Sequence, residues 1–415
     1  MEKDEGDQGT GLKEFILSEI ESKGPMPFSR FMEHCLYHPE KGYYQTDYGR
    51  IGKDGDYYTS PCVHPLFGYL LAKQFQQMSE ILEGEGFDVV EMGCGRGLLC
   101  GDILHWAKER APSFYQDLRY TLVETAPAFL REQKKRLAEE EKAGKVFWIE
   151  SGEFSDQPRE ESPGESPGEW PGESPGESDE RNDSFEGCFL SNELVDAFPV
   201  HRMMVDQGRL KELYITQKKG SFEEEWRESS DPRLASYFES MGVCLQEGQK
   251  AEVNLKALEW MERVGRHLKR GFVLTIDYGF LADDLYGPHR PEGTLLGYHR
   301  HQVSENPYER IGEQDLTSHV NFTGLIRKGE EVGLHFAGLV PQYRFLIGLG
   351  FIEEMQALEE GLSDSDALRL RLSLKHLIDP EAGMGEAFKV LIQYKGIENP
   401  VLDGLREFHS MGISA

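Results

Sequence analysis

The chain has little positive charge for its size. Its 415 residues hold 45 Lys and Arg against 74 Asp and Glu, a formal net charge of −29. A surface that acidic is repelled by phosphate backbones, so no nucleic acid is expected as substrate or partner, and binding to an anionic membrane is disfavoured. A basic protein partner or a small molecule fits better. No apolar run approaches the roughly 18 residues that a spanning helix needs, so no membrane span is expected. Cysteine is scarce. Cys35, Cys62, Cys94, Cys100, Cys188 and Cys244 are the full set, and no two stand in C-x-x-C spacing. That excludes a disulfide framework and argues against a structural zinc site, and it suits a reducing compartment. The opening MEKDEGD has neither a basic start followed by an apolar stretch nor an Arg-rich leader. We therefore expect a cytoplasmic protein.

One stretch is not globular in composition. Residues 161–177 read ESPGESPGEWPGESPGE, and residues 150–186 hold 13 acidic and 2 basic residues. Proline removes backbone donors and glycine raises chain entropy, so a solvated surface insertion is expected there, with Trp170 its one aromatic. Elsewhere apolar periodicity predicts helices over 12–20, 28–36 and 66–78. From residue 87 strands and helices alternate, the pattern of a parallel α/β sheet. Strands are expected at 88–92, 120–124, 146–149, 188–191 and 272–277, with helices over 98–110 and 127–142. An antiparallel decoration is expected near 202–205 and 210–216. Further on, a helix from about 322, a strand at 334–337, a helical stretch over 351–380 and a closing strand at 388–394 would complete a seven-strand sheet. The organisation read this way is an N-terminal helical segment with a Gly/Tyr-rich loop (1–80), an α/β core (81–280) interrupted by the acidic insertion (151–186) and the decoration (202–260), a substrate-side region (281–396) and a tail (397–415).

The sharpest chemical signal is DVVEMGCGRGLL at 88–99. An apolar strand enters Gly93-x-Gly95-x-Gly97 and then a helix. Glycines permit the tight turn and let a ligand approach the backbone. The spacing is G-x-G-x-G, not G-x-G-x-x-G, and Glu91 stands two residues before the first glycine. An acid there opposes the pyrophosphate of a dinucleotide, so a nicotinamide-dependent oxidoreductase is disfavoured. It suits S-adenosyl-L-methionine, which carries a sulfonium and an ammonium and no phosphate. The second strand ends in Glu124, placed to accept hydrogen bonds from two ribose hydroxyls.

Six blocks then match a known family in order: FSRFMEHCLYHPEKGYY (28–44), IGKDGDYYTSP (51–61), EMGCGRGLLCGDIL (91–104), SNELVDAFPVHR (191–202), GEQDLTSHVNF (312–322) and FKVLIQY (388–394). Together they resemble the MidA family, bacterial relatives of the mitochondrial complex I assembly methyltransferase. The likeness covers most of the chain outside the acidic insertion. It implies a class I S-adenosylmethionine-dependent methyltransferase fold with added helices, arginine methylation of a protein, and a role in assembling respiratory NADH dehydrogenase, one subunit of which would be the substrate. Cys94 departs from the family, which usually has Pro at that place.

Methyl transfer needs an in-line nucleophile, and an enzyme mostly positions and desolvates the partners. The guanidinium of arginine stays protonated, and carboxylates bind it in bidentate fashion. The fourth strand ends in Ser191-Asn192-Glu193, followed by Asp196, at the sheet edge where ligands bind. Glu193 and Asp196 are candidate guanidinium clamps, with Asn192 shaping the site. The other possibility is that they are helix-start acids favoured by the dipole. In the loop GKDGDYYTSP, Asp56, Thr59 and Ser60 either cover the site as a lid or form ordinary turn hydrogen bonds. Asp277 ends the fifth strand and either lines the substrate channel or begins a turn. His299 and His301 have no third ligand spaced to join them, so no metal is expected. Cys94 and Cys100 are read as packing residues. An assembly chaperone that keeps the cofactor as a structural ligand is the alternative to an enzyme. Oligomeric state is open, a homodimer included.

Overall fold

The computed structural model describes residues 7–46, 59–84, 86–150, 185–380 and 384–406. Asp56 and the Pro-Gly-Glu repeat lie outside the described residues.

Seven strands build the central sheet. In chain order they are β1 (Phe87–Met92), β2 (Leu118–Glu124), β3 (Val146–Glu150), β4 (Phe185–Asn192), β5 (Leu268–Phe280), β6 (His335–Pro341) and β7 (Phe388–Lys395). They lie in the order β6-β7-β5-β4-β1-β2-β3. β1 to β5 are parallel, while β7 is antiparallel to both β5 and β6. A two-residue strand, Val320–Asn321, adds beside the end of β5 as an eighth member. The chain winds outward from β1 through β2 to β3, then returns to β4 on the other side of β1. The loops leaving β1 and β4 therefore part and leave a crevice at their C-terminal ends, where open α/β sheets bind ligands.

All six residues of β1 are buried, as a central strand covered on both faces requires. Their side chains alternate between two cores. Phe87 and Val89 pack with the helices Leu66–Leu82 and Leu98–Arg110, whereas Val90 and Met92 pack with Trp260, Val264 and Phe322. The same period of two sends Glu91 to the first side, under the glycine turn. Asp88, at the base of β1, is held by both nitrogens of the Arg119 fork at 2.6 and 2.8 Å.

A second, antiparallel sheet joins Met26–Pro27, Arg209–Lys218, His201–Asp206 and Lys250–Val253, with Ser221–Arg227 paired to Arg209–Lys218. Periodicity reveals only two of these strands. The others are two to four residues long or, as in SFEEEWR, mostly charged, so they carry no apolar alternation. The helix Asp7–Lys23 packs Leu12, Ile16 and Ile20 against Phe28, Phe31, Leu213 and Ile215. The first two helices therefore belong to this second sheet, while Leu66–Leu82 belongs to the main one.

Two predicted helices are broken. The stretch over 127–142 divides into Pro127–Arg136 and Ala138–Lys142 at Leu137, whose side chain is buried against Gly97 and Gly101. Helix propensity alone continues through it, so packing overrides local preference here. The stretch over 351–380 divides at Gly361, which has φ +81°, into Phe351–Glu359 and Asp364–Ile378, and a short helix Gln342–Gly348 precedes them. Among the described residues no helix is long and apolar enough to cross a membrane.

Candidate functional site

The crevice between the β1 and β4 loops opens into a cleft lined by Glu91, the glycine turn, Glu124, Asn192 and Glu193. The glycine turn forms its floor. Gly93, Gly95 and Gly97 have φ of +73°, +51° and +69°, a left-handed run that side chains strongly disfavour. The Gly93 N–H donates to the Val123 carbonyl at 3.1 Å, and Gly97 N–H to the Cys94 carbonyl at 3.0 Å. The Cys94 thiol points back to the carbonyls of Glu91 and Val123, and burial pushes its pKa up, so it packs and stays protonated. The turn is also braced from outside. Fully buried Gln133 donates to the Gly95 carbonyl at 2.6 Å and accepts from the Trp148 indole at 3.0 Å.

Glu91 and Glu124 both line the cleft. Glu91 is 3% exposed, and its Oε2 accepts from the Tyr120 hydroxyl at 2.8 Å. Burial raises its pKa to about 8, with the Glu124 charge adding to the rise and the tyrosine opposing it. Glu124 accepts three backbone N–H groups, from Gly95 at 3.1 Å, Thr125 at 2.8 Å and Ala126 at 3.0 Å. Burial raises its pKa too, against those three donors. The three donors also fix the carboxylate at the rim, leaving about one of its roughly four lone-pair positions open.

At the end of β4, Asn192 and Glu193 line the same cleft. Glu193 has φ +53°, held by its N–H donating to the Ile276 carbonyl at 2.9 Å. Its Oε1 accepts from the Ser60 N–H and from Asn192 Nδ2, both at 3.2 Å. Its Oε2 has no hydrogen-bond donor among the described residues. Burial, then the Asp196 charge, pushes the Glu193 pKa up to about 8. The Asn192 Oδ1 is buried with no hydrogen-bond partner among the described residues.

Asp196 and Asp277 stand one layer behind the cleft wall. Asp196 is 5% exposed, and its Oδ2 accepts from the Tyr278 hydroxyl at 2.6 Å, while Oδ1 is buried and unpartnered among the described residues. Burial raises its pKa to about 6. Asp277 is fully buried and accepts from the N–H groups of Val195 at 2.9 Å, Asp196 at 3.3 Å and Tyr278 at 2.9 Å. Burial and the Asp196 charge push it well up. It braces the turn after β4 and is not among the residues lining the cleft.

Of the loop residues, Thr59 lines the cleft and donates to the Cys62 sulfur at 3.2 Å. Ser60 meets the site with its N–H only. Its hydroxyl turns away to Gln342 at 3.1 Å. Sequence reasoning missed Tyr37, Tyr44, Phe129 and Arg96, which also line the cleft. Tyr37 donates to the Ala197 carbonyl at 2.9 Å and Tyr44 to Asp315 at 2.7 Å. Arg96 pairs with Glu132 at 2.7 Å. The Tyr-rich run before residue 59 was the available signal. Among the described residues no Lys or Arg pairs with Glu91, Glu124, Glu193, Asp196 or Asp277.

A β1 glycine turn bearing three left-handed residues, an acid beneath it and an acid at the end of β2 define a Rossmann-like site for a cationic, phosphate-free cofactor. The comparisons agree. The model of an S-adenosyl-L-methionine-dependent methyltransferase family matches residues 70–340. The chain belongs to that family. The protein arginine methyltransferase NDUFAF7 homolog of Drosophila melanogaster is 27% identical over 97% of this chain and 88% of its own length. Human protein arginine methyltransferase NDUFAF7 is 25% identical over 91% and 82%. Both are named as mitochondrial proteins. A Burkholderia thailandensis protein solved with S-adenosyl-homocysteine bound superposes with a TM-score of 0.80 at 27% identity, covering 96% of this chain and 95% of that one.

Proposed function

We infer that this methyltransferase acts on an arginine side chain of a protein. The carrying observation is the state of the acceptors at the end of β4. Among the described residues Glu193 Oε2 has no hydrogen-bond donor, and Asn192 Oδ1 and, one layer back, Asp196 Oδ1 are buried without one. Unpartnered buried acceptors cost free energy, and the matching ligand offers many donors and no acceptor. A guanidinium, with five N–H donors in a planar fork, is that ligand. The arginine methyltransferase names of the relatives support the same reading.

The residues fit the cofactor as well. Glu124, and Glu91 once a cationic ligand displaces its proton, put negative charge around the glycine turn, and Glu124 keeps one acceptor position toward a sugar hydroxyl. Bound there, S-adenosyl-L-methionine supplies a methyl group on a sulfonium that leaves to an in-line nucleophile. The chain's own part is positional and electrostatic. Glu193 takes one face of the guanidinium through Oε2 while Ser60 and Asn192 fix Oε1. Asp196 adds negative potential beside Glu193, while Asp277, whose pKa burial pushes well up, braces the turn behind it. Tyr37 and Tyr44 narrow the cleft and exclude water. A carboxylate whose proton affinity lies near neutrality is suited to receive the proton that the guanidinium nitrogen gives up as the methyl arrives.

The family resemblance carries the partner: a subunit of respiratory NADH dehydrogenase, met in the cytoplasm. Mass spectrometry of those subunits from cells with and without the gene tests both substrate and residue. A methylarginine lost with the gene supports the reading. Methylation confined to lysine, or no change alongside failure of the purified protein to bind S-adenosyl-homocysteine in calorimetry, overturns it.

A further inference from the structure

Gln342 is a fully buried amide far from the cleft in sequence, at the start of the short helix that follows β6. A buried amide is costly unless its groups are satisfied. Both groups of Gln342 are satisfied: Nε2 donates to the Leu377 carbonyl at 3.1 Å, and Oε1 accepts from the Ser60 hydroxyl at 3.1 Å. Ser60 is itself fully buried, and its N–H donates to Glu193 Oε1. The Met384 thioether, 3.3 Å from the Ser60 oxygen, is a weaker acceptor than the amide. A continuous chain therefore runs from the helix Asp364–Ile378 through Gln342 and Ser60 to the carboxylate at the end of β4. The Ser60 hydroxyl has one proton, so its bond to Gln342 sets how the residue sits and hence where its N–H aims.

We propose that Gln342 is a positioning residue for methyl transfer, fixing Glu193 through Ser60 so that Oε1 stays occupied and Oε2 stays turned to the acceptor guanidinium. This rests on the reading of Glu193 as the guanidinium-binding carboxylate. The N–H from Ser60 stabilises the ionised form of Glu193. The other groups acting on that carboxylate are Asn192, which also donates to it, and Asp196 and Asp315, whose charges oppose its ionisation. None of these is changed by a substitution at 342.

The test is methylation of an arginine peptide by Gln342→Met, by Ser60→Ala, and by the double variant, with kcat/KM followed from pH 6 to 9. Loss of one hydrogen bond in the chain predicts a fall of about five- to tenfold in kcat/KM at pH 7. The acidic limb of the profile should move to higher pH in Gln342→Met, and S-adenosyl-homocysteine affinity should stay within about twofold of the parent. The double variant should lose no more than the worse single one, because both cut the same chain. A merely structural role lowers activity without moving the limb. A Gln342→Met profile that overlays the parent, or fully additive losses, overturns the proposal. Should Gln342→Met fail to fold, Ser60→Ala, which keeps the N–H, still decides by the movement of the limb. Glu193→Gln is measured alongside: if it leaves methylation intact, the reading of Glu193 fails. If it abolishes methylation while the limb stays fixed in the other variants, only this inference fails.

Discussion

Glu193→Gln is the substitution on which the chemistry turns most directly. The amide keeps the shape and the acceptor that Ser60 and Asn192 hold, but removes the charge offered through Oε2. A hydrogen bond to a charged group contributes about 1.5 to 3 kcal/mol, so the acceptor kcat/KM should fall by roughly ten- to 150-fold. The protonation state adds a second signature. In the free protein Glu193 titrates near 8 and is mostly protonated at pH 7, while a guanidinium binds its ionised form. Binding must therefore expel the proton. Calorimetry of an arginine peptide into protein saturated with S-adenosyl-homocysteine should show close to one proton released at pH 7, read from buffers of different ionisation enthalpy. Affinity should rise roughly 50-fold between pH 6 and 8 as the ionised fraction grows. Asp196 adds a smaller dependence centred near 6. In Glu193→Gln the proton release should largely vanish and the affinity become nearly flat above pH 7. A variant that keeps the full slope would refute the assignment of that proton to Glu193.

Three further outcomes follow from the cofactor side. Glu91→Gln should stabilise the ligand-free protein and weaken cofactor binding. The folded state holds a Glu91 proton up to about pH 8 that the unfolded chain releases near 4.5. Between those values the parent loses stability as pH rises, by at most ~1.4 kcal/mol per unit, so the gain in melting temperature should be larger at pH 8 than at pH 6. Gln133→Leu leaves the Gly95 carbonyl and the Trp148 indole N–H without their bonds. It should cost about 1 to 3 kcal/mol in urea unfolding and lower S-adenosyl-homocysteine affinity. Gly93→Ala puts a Cβ 2.7 Å from Leu194 Cδ1 at a φ of +73°. The leucine can turn aside, so the backbone cost of ~1 to 2 kcal/mol governs stability, and titration calorimetry should show cofactor affinity falling.

The parts of this molecule legible in the sequence are those whose cause is local. The apolar strands around β1, the helix Leu98–Arg110 and the turn of three glycines each follow from a dozen consecutive residues. Glu91 and Glu124 could be paired because each sits at a recognisable strand end. What stayed hidden depends on contacts far along the chain. Ser60 reads as a loop hydroxyl, yet it works through its N–H, and its hydroxyl meets a residue 282 positions away. Gln133 looks like one polar residue of a charged helix, and only the fold reveals that it faces inward beneath Gly95. Tyr37 and Tyr44 reach the cleft because Met26–Pro27 is stitched to the strand Arg209–Lys218, a pairing of two residues that no periodicity announces.

Four buried acids and the half-buried Glu193 crowd one sheet edge, and residue type alone does not say which bind ligands. The donors already spent on each one do. Asp277 receives three backbone N–H groups on its two oxygens, so it holds the turn after β4 together. Glu124 also receives three but lines the cleft, which makes it a fixed rim acceptor. Among the described residues Asp196 keeps one buried oxygen without a donor, and Glu193, which lines the cleft, keeps Oε2 without one. This ordering predicts opposite consequences for two conservative changes. In Asp277→Asn an NH2 group must replace an oxygen that accepts a backbone N–H, setting donor against donor, and urea unfolding should show a loss of about 1 to 3 kcal/mol. Glu193→Gln replaces a carboxylate whose free oxygen faces the cleft and whose burial already disfavours its charge, so its unfolding midpoint at pH 8 should equal or exceed that of the parent. A stable Asp277→Asn beside an unstable Glu193→Gln would reverse the ordering and with it the division between bracing and ligand-binding carboxylates.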